Sequence, residues 1–262
     1  MRLALGITYN GTAYEGWQSQ LSGNTIQDKL ELALGKFSTQ SIRVNCAGRT
    51  DAGVHGLMQV VHFDSLLERE TASWVRGTNA FLPTDIAVQW ARVVPNEFHS
   101  RGSAIARRYA YVVLESPVRP SVETGRVGWV YRPLCGEKMR QAATYLLGEH
   151  DFSSFRAAQC QAKSPIKLIQ RIDVVQRPGS NYWRFEFEAN AFLHHMIRNI
   201  MGCLVAVGQD FKKPEWMAEV LAARRRDAAA PTFSPDGLYF LGPVYEEKYE
   251  LPNRAASYDW LP

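Results

Sequence analysis

The sequence predicts an α+β protein made of two ferredoxin-like βαββαβ halves around a shared antiparallel sheet with a central active-site cleft. Three observations lead there. Period-two apolar segments alternate with segments of helical period in the order β, α, β, β, α, β. The same order returns about 105 residues later with one helix added, without residue-level self-similarity. And 46% of the 262 residues are hydrophobic, enough for one large core or two medium ones.

In the first half, Leu3, Leu5, Ile7 and Tyr9 alternate with Arg2, Ala4, Gly6 and Thr8 until the Asn10-Gly11 turn signal ends the strand. Thr25 followed by Asp28 resembles a capping box, and Ile26, Leu30, Ala33, Leu34 and Phe37 then recur at helical spacing. Residues 42–46 and 57–63 read as strands, 70–79 as a helix with Trp74 and Val75 inward, and 86–94 as a fourth strand. The second half opens with a strand at 107–114 and a helix at 137–147 closed by Gly148. Strands at 168–176 and 182–188 flank a Pro178-Gly179-Ser180-Asn181 turn, helices follow at 193–207 and 214–224, and a strand at 238–245 ends the pattern. The expected boundaries are therefore 1–104, 105–250 and a loosely held tail at 251–262. Long connections at 95–105 and 149–167 are the segments expected to be functional or mobile.

Charge is mild. Thirty basic residues against 26 acidic ones leave +4, so any affinity for nucleic acid must come from clusters. Four exist: Arg107-Arg108; Lys163 with Lys167 and Arg171; Lys212-Lys213; and Arg224-Arg225-Arg226. Each alone reads as solvated surface; together they would form a phosphate-tracking surface, with Glu246, Glu247 and Glu250 turned away from it. The longest strongly apolar stretch, 200–208, is well short of the roughly 18 residues of a membrane span. The first seven residues read as a strand rather than a signal sequence, and the scattered Cys46, Cys135, Cys160 and Cys203 read as reduced thiols, so a cytoplasmic protein is expected.

Residues 47–56, Ala-Gly-Arg-Thr-Asp-Ala-Gly-Val-His-Gly, carry three glycines, Arg49 and Asp51 between two strands, more than a plain hairpin requires. Spacing alone leaves open a Gly-rich turn with a surface arginine and a self-capping aspartate. Along 193–207, Leu193, Met196, Ile197, Ile200, Leu204 and Val207 form the buried stripe, while His195, Arg198, Asn199 and Gly202 share the opposite side. A face this poor in Lys and Glu is expected to line a site or to meet other protein. Adjacent His194 and His195 would point about 100° apart on a helix, which argues against a metal pair. His55 reads as a structural histidine, and Tyr109 and Tyr111, on one strand face, read by pattern as core aromatics.

The run Gly48-Arg49-Thr50-Asp51-Ala52-Gly53-Val54-His55 resembles the signature of the TruA family of tRNA pseudouridine synthases. Matching runs follow in family order: 107–111, Gly148 with 151–155, 190–199, and 237–239. Phe240 departs from the family picture, which has a smaller aliphatic residue there. The resemblance implies the pseudouridine synthase fold and isomerisation of uridine to pseudouridine at positions 38 to 40 in the anticodon arm of tRNA. It implies a homodimer working without metal or organic cofactor. It also implies Asp51 as the catalytic carboxylate, Arg198 as the guanidinium that keeps it ionised, Arg49 in the space a flipped base vacates, Tyr109 stacked on the uracil with its hydroxyl able to shuttle a proton, and Leu238 as an apolar wall. Two other readings compete. An RNA-binding protein of two RRM-like units lacks the aromatic pattern on residues 57–63, and a small-molecule enzyme using Asp51 leaves the basic clusters idle.

Overall fold

The computed structural model describes residues 1–252, so the expectation of a loose tail falls, from Asn253 on, outside the described residues. The chain divides into two compact units, Met1–Arg107 with 239–252, and Arg108–Leu238.

In the first unit, β1 (Arg2–Tyr9), α1 (Ile26–Ser38), β2 (Asn45–Cys46), β3 (His55–Asp64), α2 (Thr71–Asn79) and β4 (Ile86–Val94) follow the expected order. β1 lies between β4 and β3 and is antiparallel to both. The start of α1 is the capping box: Thr25 accepts from Asp28 N at 3.2 Å and donates to the Asp28 carboxylate at 2.6 Å. Leu3, Leu5 and Ile7 of β1 pack with Ile26, Leu30, Leu34, Trp74 and Val88 on one face of the sheet. Ala4, Met58, Val60, Trp90 and Phe98 form a second cluster. Because β1 is covered on both sides, the polar-out alternation read from the sequence belongs to no solvated face.

Two features differ from the sequence reading. The strand expected over 42–46 shrinks to Asn45–Cys46, because Glu31 takes the preceding segment: its carboxylate accepts Val44 N at 3.0 Å and pairs with Arg43 at 2.8 Å. The far edge of β3 is then shared. β2 pairs with its Val61–His62 stretch, while β10 (Leu238–Tyr245) runs parallel to its start, Tyr239 opposite His55 and Phe240 opposite Gly56. From Tyr239 on, the last strand therefore lies in the first unit, although chain order places it in the second half.

The second unit holds β5 (Ala104–Glu115, from Arg108 on), β6 (Gly128–Val130), α3 (Gly136–Thr144), β7 (Gly148–Asp151), β8 (Ile166–Gln176), β9 (Tyr182–Ala189), α4 (Met196–Gly208) and α5 (Trp216–Ala223). Its strands run β5-β9-β8-β7, with β6 parallel to β5. β6 and β7 were not expected; at three and four residues they are too short to show a period. β7 begins at Gly148, which at φ +97 takes the left-handed turn from the α3 segment into the strand. α4 begins at Met196 rather than 193 because His195 sits at φ 62, outside helical space.

Candidate active site

The loop that carries Asp51 is clamped along its backbone. It leaves β2 with Ala47 N donating to Val60 O at 2.9 Å and enters β3 after Val54 N donates to Asp51 O at 3.1 Å. The segment after β1 grips it from outside: Trp17 N donates to Thr50 O at 3.0 Å, and Gly53 N, at φ +81, reaches Tyr14 O at 3.4 Å. That approach depends on two glycines. A Cβ at Gly11 would lie 2.0 Å from Val54 O, and one at Gly16 2.7 Å from Thr50 O. Tyr14 is in turn tied down, its hydroxyl donating to Asp85 at 2.6 Å. Gly11 N donates to His55 Nδ1 at 3.1 Å, and the His55 ring stacks on Tyr239 with centroids 4.6 Å apart, so His55 is structural as expected, though on a strand. Within this frame Thr50 is buried, Asp51 half-buried and Arg49 exposed. A loop fixed at backbone level while its charged side chains stay accessible can present a carboxylate in one geometry.

In the second unit, Tyr109 is nearly buried on β5 and meets Phe192 edge-on at 5.2 Å. Arg198 Nε donates to Phe233 O at 2.9 Å, and Phe233 N returns a bond to Arg198 O at 3.1 Å. The same segment then turns at Gly237, φ +83, whose carbonyl accepts Val112 N at 2.9 Å, and delivers a buried Leu238. The 233–238 segment thus ties Arg198 to Leu238. Tyr111 is core, its hydroxyl donating to Ser234 O.

The polar side of α4 proves to be a packing face in part. Asn199 is fully buried: its Nδ2 donates to Phe155 O at 2.8 Å, and its Oδ1 accepts from Thr232 at 2.7 Å and Arg226 at 3.1 Å. Gly202 admits the chain at Pro231, whose carbonyl would lie 2.2 Å from a Cβ there. His194 and His195 precede the helix, so the angular argument against them does not apply; their rings lie 4.0 Å apart. The connection over 149–167 is also more anchored than expected. Asp151, its carboxyl held below the usual range by hydrogen bonds from Ser153, ties down the start of a short 3-10 turn (Ser153–Phe155), where Phe155 and the preceding Phe152 are fully buried. The following stretch wraps Arg156, which donates to Cys160 O and Ala162 O at 2.6 and 3.0 Å. Sequence reasoning missed Asn199 as a hub and the Tyr14–Trp17 clamp; the glycines at 11 and 16 were the available signal.

A model of the family described as tRNA pseudouridine synthase matches residues 7–101 and 142–246. The chain is 80% identical over 264 residues to tRNA pseudouridine synthase A of Polaromonas naphthalenivorans (strain CJ2), with 100% of both chains covered. It is 67% identical over 274 residues to tRNA pseudouridine synthase A of Acidovorax ebreus (strain TPSY), again with 100% of both covered. Among solved structures, the crystal structure of a Cbf5-Nop10-Gar1 complex matches at 12% identity and TM-score 0.38, over 91% of this chain and 48% of that one. A likeness this distant speaks to neither activity nor partners.

Proposed function

Since this chain belongs to the tRNA pseudouridine synthase family, an isomerase family acting on tRNA, we propose that it converts uridine to pseudouridine at positions 38 to 40 of the anticodon arm, with Asp51 as the acting carboxylate. The observation that carries the assignment of Asp51 is its loop. In the motif run 48–55, backbone groups of Thr50, Asp51, Gly53 and Val54 are held by backbone hydrogen bonds and Gly48 by the Gln59 side chain, and the carboxylate the run presents stays half-exposed.

The chemistry needs such a carboxylate. The C1′–N1 bond of the target uridine breaks, the uracil turns while held, and C5 bonds to C1′; the C5 proton leaves and N1 takes one up, so atoms and charge balance with no cofactor. An ionised Asp51 acts on the sugar, by attack or by proton abstraction, while water is kept out. Tyr109, its ring set by Phe192, stacks on the uracil, where an aromatic contact is worth about 1–3 kcal/mol. Leu238 supplies an apolar wall, Arg198 favours the ionised Asp51, and exposed Arg49 fills the gap left by the flipped base, offsetting an unstacking cost of a few kcal/mol. The enzyme acts as a homodimer in the cytoplasm.

The test is tritium release from tRNA labelled at uracil C5, with no added cofactor. Asp51→Asn is expected to bind tRNA almost normally and to lose turnover. Should that variant keep more than about a hundredth of the wild-type rate, a barrier change under roughly 2.7 kcal/mol, Asp51 is not the acting group.

A further inference from the structure

Three buried polar side chains next to the Asp51 loop are not explained by packing. Tyr9, at the end of β1, is 4% exposed, and a phenylalanine would fill its ring volume equally well. Its hydroxyl lies 2.9 Å from Thr50 Oγ1, on the residue directly before Asp51. Gln59 of β3 is fully buried and bonds both backbone groups of one residue: its Nε2 donates to Gly48 O at 2.5 Å and its Oε1 accepts from Gly48 N at 3.4 Å. Burial pushes the ionisation of the Tyr9 hydroxyl far up, with Thr50 and Gln59 acting against it. Buried polar groups are costly unless mutually satisfied, and here each satisfies another in the stretch that carries Asp51.

The sheet is shaped to allow this. The β1–β3 register shifts between Ile7 and Tyr9, an irregularity of the kind that re-aims a side chain. Opposite Tyr9 stands Gly56, where a Cβ would fall 2.4 Å from the tyrosine ring, so the missing side chain leaves the ring its path toward Thr50. The last glycine of the loop motif thereby acquires a reason that turn geometry does not give it.

We propose that Tyr9, Thr50 and Gln59 are positioning residues for the Asp51 carboxylate, a buried network that fixes the peptides at 48–50 and so aims the side chain that follows. The proposal rests on Asp51 being the acting group. A misplacement of about 1 Å at a reacting group can cost on the order of a hundredfold in rate, whereas substrate binding spread over a large RNA is insensitive to it.

The experiment compares Tyr9→Phe, Thr50→Val, Thr50→Ser and the Tyr9→Phe/Thr50→Val double variant with wild type and Asp51→Asn, reading single-turnover tritium release, tRNA affinity by filter binding and thermal midpoint. Tyr9→Phe and Thr50→Val are expected to slow turnover by about 10- to 100-fold with tRNA affinity within about twofold of wild type. Thr50→Ser, which keeps the hydroxyl, is expected to recover most of the rate, and the double variant to be no slower than the slower single one, since both delete the same bond. If Tyr9→Phe does not fold, the Thr50 pair decides alone. Rates within twofold of wild type in folded Tyr9→Phe and Thr50→Val, beside an inactive Asp51→Asn, would overturn the proposal, as would a Thr50→Ser as slow as Thr50→Val. An active Asp51→Asn would remove its premise and the proposal with it.

Discussion

A single buried imidazole makes the first unit sensitive to acid between pH 6.5 and about 4. His62 is 4% exposed; its Nδ1 accepts Ser100 N at 3.1 Å, while the Ser100 hydroxyl donates to Asn45 O at 2.7 Å. Burial pushes its pKa down to about 4; the His99 ring at 4.6 Å and the Arg2 guanidinium act the same way, and Asp64 acts weakly against them. The folded protein therefore holds His62 neutral where the unfolded chain, titrating near 6.5, takes up a proton. Its contribution is present above pH 6.5 and is lost as pH falls toward 4, and below that it no longer changes. The full window is worth about 3 kcal/mol at 1.36 kcal/mol per pKa unit, of which about 2 kcal/mol falls between pH 7 and pH 4.5. Unfolding free energies from urea titrations at pH 7 and pH 4.5 are expected to differ by about 2 kcal/mol more in wild type than in His62→Asn, whose side-chain oxygen accepts the same Ser100 N–H without titrating. An equal drop in both proteins would place the acid sensitivity elsewhere. The loop that carries Arg49 and Asp51 was legible from the sequence because glycine spacing and family resemblance met on it. His62 was not, since a histidine within an apolar strand gives no sign of what its ring accepts.

At the scale of elements, α4 shows where sequence patterning stops. Its apolar stripe was readable from spacing, and Ile200 and Leu204 are fully buried as read. What no period reveals is that the other side is buried too, against 229–234 and the Ser153–Phe155 turn. Asn199 joins both: Phe155 O, Thr232 and Arg226 all depend on it. Asn199→Ala is expected to cost about 2–4 kcal/mol, because it orphans a buried carbonyl and leaves a guanidinium short of an acceptor. The check is a urea titration with unchanged slope and a lowered midpoint; a loss under about 1 kcal/mol would mean that water replaces the amide. The same limit explains the shortened β2 and the reassigned β10. Hydrophobic alternation gives a strand's existence, but its length and partner depend on who else claims the edge, here Glu31 against Val44 N and Tyr239 against His55.

For the whole molecule, a net charge of +4 conceals that the members of the basic clusters are not equally free to meet phosphate. Arg171 pairs with Asp173 and Glu186, Arg107 donates to Arg101 O and Ala104 O, and Arg226 is built into the Asn199 network. Arg224 and Arg225 are exposed and lie 3.7 and 3.6 Å from Asp151 and Asp227, ion pairs worth at most about 1 kcal/mol in water. Lys212 and Lys213 are exposed, the former over the Trp216 ring at 5.2 Å. The basic clusters thus divide into structural and available members, and the two kinds answer differently to salt. Each phosphate contact removed lowers the slope of log affinity against log salt by about 0.7–0.9. A Lys212→Ala/Lys213→Ala variant is therefore expected to bind tRNA more weakly at low salt with a slope shallower by up to about 1.8, and to unfold at the wild-type urea concentration. Arg226→Ala is expected to do the reverse: a lower urea midpoint and an unchanged slope, because its guanidinium already serves Asn199 and Thr232. If Arg226→Ala flattens the salt dependence as much as the lysine pair, the division is wrong and the whole arginine run faces the RNA.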